Sequence, residues 1–493
     1  MQVLLEIFYL NEAVLDEEAP QFAHKLYALP LFAAIKRCDD RLTSPCNFVK
    51  ACLDKLMNQQ IILKLRLAIM IFMVNVVALM QFSRLEAQDW MQFLGKSDAS
   101  ENAKLPTKWD ENTNITWKTK LPGPGASSPI IVGERVFLTC YSGYGDKSAG
   151  KIKDLQRHLL CFDRANGEIV WQKSFDNSSV KDEDPYESFI THHGYATNTP
   201  VSDGKSVFVF LGKPGLFAFD LDGNQLWKKQ IEYKANKTRW GSASSPVLLD
   251  DNLYLNAIEE CGKVFSIAKT DGEIQWEFQA ETALAYTTPR FITAANGDVE
   301  LILPVPKRVI GLDPTDGSQK WFATNRFEGE SNATAIVDND IAYVYGGFRS
   351  VGSMAIRAGG KGDVTKSHVL WSTRDTSYVS TPVLKDEHLY WIDEKGIAYC
   401  VKAESGERVF RTRVAGVRGG RGIKFFASMI SAGDHMFAVS RRSGTFVIRM
   451  TPEYELVSHN TFEGDDSEFN GTPAISGNQL FMRSNKFLYC IGE

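Results

Sequence analysis

Few residues of this 493-residue chain stand at spacings that suggest chemistry. His192 and His193 are adjacent, which can indicate a metal site or a general base. Neighbouring strand residues point to opposite faces, however, so a tandem pair rarely binds one ion. The segment DLDGN (220–224) has the composition of a calcium loop, but Asp, Gly and Asn also supply the geometry of a hairpin turn. In both cases we favour a structural or solvent-exposed role.

The segment RTRVAGVRGGRGIKFF (411–426) is the best candidate for binding a ligand. Its Arg418 and Arg421 stand among glycines, and guanidinium groups and free backbone amides both suit a carboxylate or a phosphate. Solvated loop charge is the alternative interpretation. Motifs for nucleophilic, phosphoryl and zinc chemistry are absent: the chain has no Gly-x-Ser-x-Gly, no Walker loop and no His-Glu-x-x-His.

A repeated sequence motif indicates the structural elements that position these residues. Its good copies are FDRANGEIVW (162–171), FDLDGNQLW (219–227), IAKTDGEIQW (267–276) and LDPTDGSQKW (312–321). Each ends in Gly-x-x-x-Trp, and a degenerate copy, VKAESGERVF (401–410), places Phe410 at the tryptophan position. A period of about 45 residues indicates a propeller or a solenoid.

A second signal, Ser/Thr-Pro, runs in phase with the first. Its copies are SSPIIV (127–132), NTPVSD (198–203), SSPVLLD (244–250), TTPRFI (287–292), STPVLKD (380–386) and GTPAISG (471–477), with weaker copies at 332–338 and 427–433. Proline cannot donate to a sheet ladder, so it fits the first residue of a strand. Alternation of period two, as in VFVFLG (207–212), predicts short antiparallel strands, four in each repeat.

Eight repeats begin in this register, and the eighth reaches the end of the sequence after about three strands. The segment NITWKTKL (114–121), which contains Trp117, can supply the missing strand. We therefore predict an all-β, eight-bladed propeller with four antiparallel strands per blade, closed by an N-terminal strand. Five tryptophans are predicted to pack between neighbouring blades: Trp117, Trp171, Trp227, Trp276 and Trp321.

The pattern Asp-x-x-x-Gly-x-x-x-Trp resembles the tryptophan-docking motif of pyrroloquinoline-quinone (PQQ) repeats, and the resemblance covers residues 113–493. Such repeats occur in quinoprotein dehydrogenases and in exported propellers that bind no quinone. If this chain resembles the dehydrogenases in activity, the resemblance implies two adjacent cysteines over the quinone and a set of Glu, Asn and Asp side chains around calcium. This chain has no adjacent cysteines, and Cys261 stands alone in its loop. A PQQ- and calcium-dependent oxidoreductase is therefore the alternative, and a cofactor-free propeller is the favoured hypothesis.

Five cysteines follow Met57: Cys140, Cys161, Cys261, Cys400 and Cys490. Cys161, Cys400 and Cys490 occupy the same register in different repeats. Equivalent positions of different blades lie around a ring, too far apart for a disulfide. We expect buried free thiols.

The N-terminal region resembles an exported protein. Lys64 and Arg66 precede the apolar stretch LAIMIFMVNVVALM (67–80), and polar SRLEA follows, as in a secretory signal cleaved after Ala87. We predict an upstream extension at 1–56 that reflects a mis-assigned start, a signal peptide at 57–87, a lead segment at 88–112 and the propeller at 113–493. An uncleaved signal would leave the protein membrane-anchored; cleavage would leave no membrane span. No cysteine follows closely enough for lipid attachment, unlike the similar propeller lipoprotein of the outer-membrane barrel-assembly machinery.

Composition and loop length complete the sequence-based hypothesis. A net charge of −5 lacks the basic excess on which nucleic-acid binding depends. The two longest insertions, 141–157 and 174–198, should share one face with His192, His193, Arg239, Trp240, Arg418 and Arg421. We expect a secreted or periplasmic, non-catalytic scaffold that binds a protein, peptide or glycan of the cell envelope. A hydrolase or lyase with an axial site is the second alternative, and the oligomeric state stays open.

Overall fold

The structure, a computed structural model, describes residues 89–95, 100–145, 150–177, 195–233, 241–347, 352–420 and 422–492. The chain divides into two units, Met1–Leu85 and Glu86–Glu493, and all described residues belong to the second. The predicted extension at 1–56 and signal peptide at 57–87 lie outside the described residues.

Within these residues the strands form eight sheets, one for each blade, ordered from the axis outwards. Blade 1 contains β2 (Ile130–Val132), β3 (Arg135–Ser142), β4 (Gln156–Asp163) and β5 (Ile169–Asp176). Blade 2 contains β6 (Val201–Ser202), β7 (Ser206–Phe210), β8 (Leu216–Asp220) and β9 (Gln225–Lys229). Blade 3 contains β10 (Val247–Leu249), β11 (Asn252–Ala257), β12 (Lys263–Ala268) and β13 (Ile274–Gln279). Blade 4 contains β14 (Arg290–Thr293), β15 (Val299–Val305), β16 (Arg308–Leu312) and β17 (Gln319–Thr324). Blade 5 contains β18 (Ile336–Asp338), β19 (Ile341–Gly346), β20 (Gly352–Arg357) and β22 (Val369–Thr373). Blade 6 contains β23 (Val383–Lys385), β24 (His388–Ile392), β25 (Ile397–Lys402) and β26 (Arg408–Arg413). Blade 7 contains β27 (Ile430–Ala432), β28 (His435–Val439), β29 (Thr445–Arg449) and β30 (Glu455–Asn460).

Blade 8 shows how the ring closes. Its three C-terminal strands are β31 (Ala474–Ser476), β32 (Gln479–Arg483) and β33 (Phe487–Gly492), and the fourth is β1 (Ile115–Lys120). β1 pairs antiparallel with β33, with Trp117 opposite Cys490. The predicted fold class, including closure by an N-terminal strand, is confirmed.

Helical structure is scarce in the described part of the chain. It includes α1 (Ile258–Cys261) and a 3₁₀ turn (Ile152–Asp154). None of the helices described reaches the length and apolar character that a bilayer span requires.

The burial of each strand follows from its position in the blade. The second strands are almost continuously buried, as in SVFVF of β7, because both of their faces meet neighbouring blades. Outer strands such as β5 alternate between exposed and half-buried residues. This difference explains why the period of two is clear in some segments and replaced by apolar runs in others.

The tryptophans of the outer strands join consecutive blades. In four pairs the indole Nε1–H donates to a backbone carbonyl in the hairpin between the third and fourth strands of the next blade: Trp117 to Arg164 (2.8 Å), Trp171 to Leu221 (2.9 Å), Trp227 to Lys269 (2.9 Å) and Trp276 to Pro314 (2.9 Å). The indole also covers the glycine of that hairpin. A Cβ atom on Gly317, whose φ is +73°, would lie 2.5 Å from the ring of Trp276. The glycine of each motif therefore receives the tryptophan of the preceding blade.

Trp321 lies in a core cluster that blades 4 and 5 share, but it does not dock on a hairpin glycine as the other four tryptophans do. It is fully buried, lies against Gly311 of its own sheet, and donates to Oε2 of Glu300 at 2.7 Å. The β20–β22 connection contains no docking motif; instead its β21 (Gly362–Asp363) pairs parallel with β17 as a fifth strand of blade 4. The outer edge of blade 4 is thus covered by chain from blade 5.

Blades 5 and 6 show two further solutions. Trp371, which lacks a glycine four residues before it, still docks on the next blade, with Nε1 2.7 Å from the Ala403 carbonyl and its ring over Gly406. Phe410, predicted to replace a tryptophan, contacts Tyr454 of blade 7 edge to face, with ring centroids 5.8 Å apart. The five cysteines of the described chain are unpaired thiols, and all except the half-buried Cys261 are buried.

Candidate functional site

A belt of serine and threonine residues surrounds the axis where the innermost strands begin. Its members are Ser128, Thr199, Ser245, Thr288, Thr334, Thr381, Ser428 and Thr472. In seven consecutive links the backbone N–H of one member donates to the hydroxyl of the next, at 2.9–3.3 Å. The hydroxyl of Ser128 has no hydrogen-bond partner in the described chain, so the belt is open between blades 8 and 1. The Ser/Thr-Pro signal thus marks both the start of a strand and a link of this belt.

We call the face that carries the connections from each outer strand to the next inner strand the upper face, and the opposite face the lower face. A cavity of about 170 Å³ lies on the axis at the belt and towards the upper face. Its lining is mostly apolar and includes Tyr286, Tyr378 and Phe426 from upper connections, with Phe93 from the lead segment. The same wall carries the polar side chains Glu330 and Asn332.

Tyr378 and Glu330 form the polar centre of this axial cavity. The Tyr378 hydroxyl donates a short hydrogen bond to Oε2 of Glu330. Burial, together with the adjacent carboxylate, raises the pKa of Tyr378, which keeps the phenol protonated. The pair places a carboxylate in a lining that is otherwise largely apolar and aromatic, an arrangement that can orient a polar group of a ligand.

One wall of the cavity continues into an ion-pair network. Nη2 of Arg441 and of Arg442 each lie 2.6 Å from Glu468, and Arg441 also donates to Asn470 at 3.1 Å. The Arg441 guanidinium lies 4.3 Å from the ring centroid of Phe426. Burial alone would raise the pKa of Glu468, but the two arginines outweigh it and lower that pKa. The network therefore stays charged and holds Phe426 and Asn470 against the cavity.

A second titratable group is buried on the upper face beside blade 3. Glu260 of α1 is 2 % exposed, and its Oε1 atom has no hydrogen-bond partner in the described chain. Burial raises the pKa of this carboxyl to about 7, while a hydrogen bond with Ser242 opposes the shift. No motif in the sequence marks Glu260, because the burial of a residue between two strands cannot be read from the local sequence.

Of the six residues predicted for the ligand face, the structure describes one. Arg418 is exposed in the β26–β27 connection, on the upper face, and its backbone N–H donates to Ser443 at 2.9 Å. His192, His193, Arg239, Trp240 and Arg421 lie outside the described residues. Their convergence stays a prediction.

The described ends of the two long insertions do meet. Tyr195, near the end of the second insertion, contacts Tyr141 and Tyr144 of the first, with ring centroids 5.5 and 6.1 Å apart. The guanidinium of Arg157 lies 5.1 Å from the Tyr195 ring. Both insertions therefore start from the upper face, next to blade 1. Within the part of the chain described, no group of three acidic, histidine or cysteine side chains could hold a metal ion.

The profile of the outer membrane protein assembly factor BamB family matches residues 156–412, more than half of the chain. The chain belongs to this family. No curated protein sequence matches it. Among solved structures, BamB from Moraxella catarrhalis superposes with a TM-score of 0.53 at 12% identity, over 76% of this chain and 96% of that one.

Two other solved structures have lower TM-scores. The computationally designed protein Ika8 gives a TM-score of 0.51 at 10% identity, over 77% of this chain and 100% of that one. A quinohemoprotein alcohol dehydrogenase from Pseudomonas putida gives 0.43 at 10% identity, over 73% of this chain and 76% of that one. At such identities these similarities concern the fold alone.

Proposed function

We propose that this protein is an exported scaffold of the cell envelope that binds a protein partner on its upper face. A segment of the partner enters the axial cavity, and the scaffold acts without a cofactor of its own. The observation that carries the proposal is the axial cavity, whose lining combines Tyr286, Tyr378 and Phe426 with the Glu330 carboxylate. Concave, mostly apolar sites with a few convergent polar groups are typical of binding sites.

Two further features support this proposal. Membership in a family described as an outer membrane protein assembly factor favours a protein partner in the envelope. The ion pairs of Arg441 and Arg442 with Glu468 hold one wall of the cavity in place. A wall that is ordered before binding loses less conformational entropy when the partner docks.

Site-specific photocrosslinking in the producing cell tests which face binds. A photoreactive residue replaces Arg418 on the upper face or, as the matched control, Lys205 in an exposed turn of the lower face. We expect an adduct of defined mass from position 418 and none from position 205. Adducts from position 205 alone would contradict the proposal.

Substitution in the cavity tests the axial part of the proposal. Tyr378→Ala opens the wall and removes the bond to Glu330, so it should reduce the adduct from position 418 about tenfold if the Tyr378 side chain is a binding hot spot. Thr451→Ala, at the β29–β30 hairpin on the lower face, serves as control. An equal adduct yield from both variants would exclude the axial cavity as the binding site.

Titration with PQQ and calcium, followed by absorbance, tests the oxidoreductase alternative.

A further inference from the structure

One blade places a charge where the others place hydrocarbon. Two residues beyond each belt member, the innermost strands carry Ile130, Val201, Val247, Arg290, Ile336, Val383, Ile430 and Ala474. Seven of these side chains are aliphatic, and Arg290 of β14 is the exception. Aliphatic side chains suit the interior of the ring, so an arginine at this level requires another explanation.

Arg290 faces a second, open cavity of about 460 Å³ on the lower side of the axis. Ile336, Val383 and Ile430 of the next three blades contribute to its wall, and Trp90 and Leu94 of the lead segment complete it. This lower cavity is distinct from the axial cavity, although both touch Thr381 of the belt.

No described residue forms a hydrogen bond or ion pair with the Arg290 guanidinium, although this side chain is only partly exposed. Burial lowers its pKa, and no neighbouring carboxylate opposes that effect. The other cation of the cavity wall, Lys385, lies 3.5 Å from Glu101 and 3.9 Å from Asp386. A desolvated charge without a counter-charge is costly, and natural sites satisfy it by pairing.

The backbone around this cavity can hold an extended chain. β18, β23 and β27 are the inner edges of their sheets, so one side of each has no strand partner. The equivalent edges of blades 1 and 2 already bond to the lead segment. Trp90 and Ile131 of blade 1 exchange two hydrogen bonds of 3.0 Å, and Met91 accepts one from Ser202 of blade 2 at 2.9 Å. Addition of an extended segment to an inner edge is therefore a geometry that this channel adopts.

The positive and negative groups of the lower cavity lie at different depths. Arg290 lies at the level of the aliphatic ring, whereas Asp338, Asp386 and Glu387 are exposed at the lower rim. A ligand that fits this pattern has a carboxylate at its inner end and a basic group near the rim. A peptide C-terminus that follows a basic residue combines both features with an extended backbone.

We propose that the lower cavity binds the C-terminal carboxylate of an extended peptide, with Arg290 as its counter-charge. The guanidinium fork matches a carboxylate through two parallel hydrogen bonds. The peptide backbone adds to the free edge of an inner strand, and a basic side chain meets the acidic rim. This site is independent of the partner-binding function of the upper face.

Calorimetric titration of the full chain with the tripeptide Lys-Val-Ala tests the proposal. We expect saturable binding of the free acid, and binding of the C-terminal amide weaker by about tenfold or more, because the amide has no charge to offer Arg290. Acetate should compete with the free acid only at much higher concentration, since it lacks the backbone. Equal binding of acid and amide, or no saturable binding of either, would overturn the proposal.

Two arginine variants separate recognition from stability. Arg290→Met retains length and matches the aliphatic ring, and it should weaken the free acid about tenfold without affecting the amide. Arg357→Met is the matched control, because Arg357 also lies low in its blade but is paired with Asp340 at 3.1 Å. Circular dichroism and thermal melting establish that both variants are folded. Wild-type affinity of Arg290→Met for the free acid would exclude Arg290 as the counter-charge. If Arg290→Met does not fold, Arg290→Lys replaces it. The lysine retains the charge but lacks the guanidinium fork, so its affinity for the free acid should be intermediate.

Discussion

Each docking tryptophan makes one hydrogen bond and covers one glycine of the next blade. Trp276 bonds to the Pro314 carbonyl and lies against Gly317, and the same pair of contacts recurs around the ring. A side chain on that glycine would collide with the indole and would also require a strained positive φ. The tryptophan and the glycine therefore depend on each other, although they belong to different repeats.

Trp276→Ala should lower the free energy of unfolding by about 3–5 kcal/mol, because a buried indole is replaced by a cavity. Gly317→Ala should also destabilise the protein, since its Cβ would lie 2.5 Å from the ring. Urea denaturation measures both changes. Gly297→Ala is the control: it also has positive φ, but no atom lies within 4 Å of the added Cβ. A loss in Gly297→Ala as large as that in Gly317→Ala would show that φ strain, and not docking, sets the cost.

Glu260 should make stability depend on pH. Its pKa is raised to about 7 in the folded chain, above the value of an unfolded glutamate. The stability that the protonated form contributes is therefore complete below about pH 4.5 and is lost as the pH rises towards 7. Glu260→Gln cannot ionise, so its stability relative to the wild type should increase by about 3 kcal/mol between pH 4.5 and 8. Urea denaturation across this range measures the effect, and the exposed Glu168→Gln should show none.

At the scale of elements, two strands protect sheet edges that would otherwise be open. β1 covers β33 in blade 8, and β21 covers β17 in blade 4. An unpaired edge is a template for aggregation, so covering it serves solubility as well as stability. In the second case Trp321 donates to Glu300 of its own blade, and the connection in blade 5 that lacks a docking motif forms β21.

Two truncations isolate the contribution of β1. Deletion of residues 1–120 removes β1, whereas deletion of residues 1–113 removes the same upstream chain but retains it. We expect the first protein to melt at lower temperature and to aggregate, because Phe481 loses its contact with Trp117 and Leu488 loses its pairing with Thr119. Thermal melting and light scattering compare the two. Identical melting of both proteins would show that β1 does not hold the ring closed.

At the scale of the whole molecule, the belt connects all eight blades near the axis. Each link joins a backbone N–H of one blade to a hydroxyl of the next, so the links form only when the blades are assembled. Buried N–H groups that lose their acceptor are costly. The belt therefore couples the blades to one another independently of the tryptophans at the rim.

Thr381→Val retains the shape of the side chain but leaves the N–H of Thr334 without an acceptor. The free energy of unfolding should fall by about 1–3 kcal/mol, the usual cost of a buried unsatisfied donor. Thr381→Ser retains the hydroxyl and should cost less. Urea denaturation measures both, and amide exchange at Thr334 reports the local loss. Equal destabilisation by Val and Ser would attribute the effect to packing.

The sequence by itself determined the number of blades, the four strands of each, and the strand that closes the ring. Gly-x-x-x-Trp and Ser/Thr-Pro carry this information because turn geometry, proline and period-two alternation act over a few neighbouring residues. The same local signals did not show that Trp321 lacks a hairpin glycine to dock on, and they missed Trp371. In both cases the outcome depends on the hairpin of the next blade.

Only the tertiary structure decided which side chains meet on the axis. Tyr378 reaches Glu330 from 48 residues away, and Arg441 reaches Glu468 from 27. No local pattern records such pairs, because they form only when the connections of different blades converge around a closed ring. Arg418, found among glycines in the sequence, proved to lie beside this region, on the upper face. The burial of Glu260 and the isolation of Arg290 were likewise decided by the tertiary structure, since the cost of an unpaired charge depends on what packs around it.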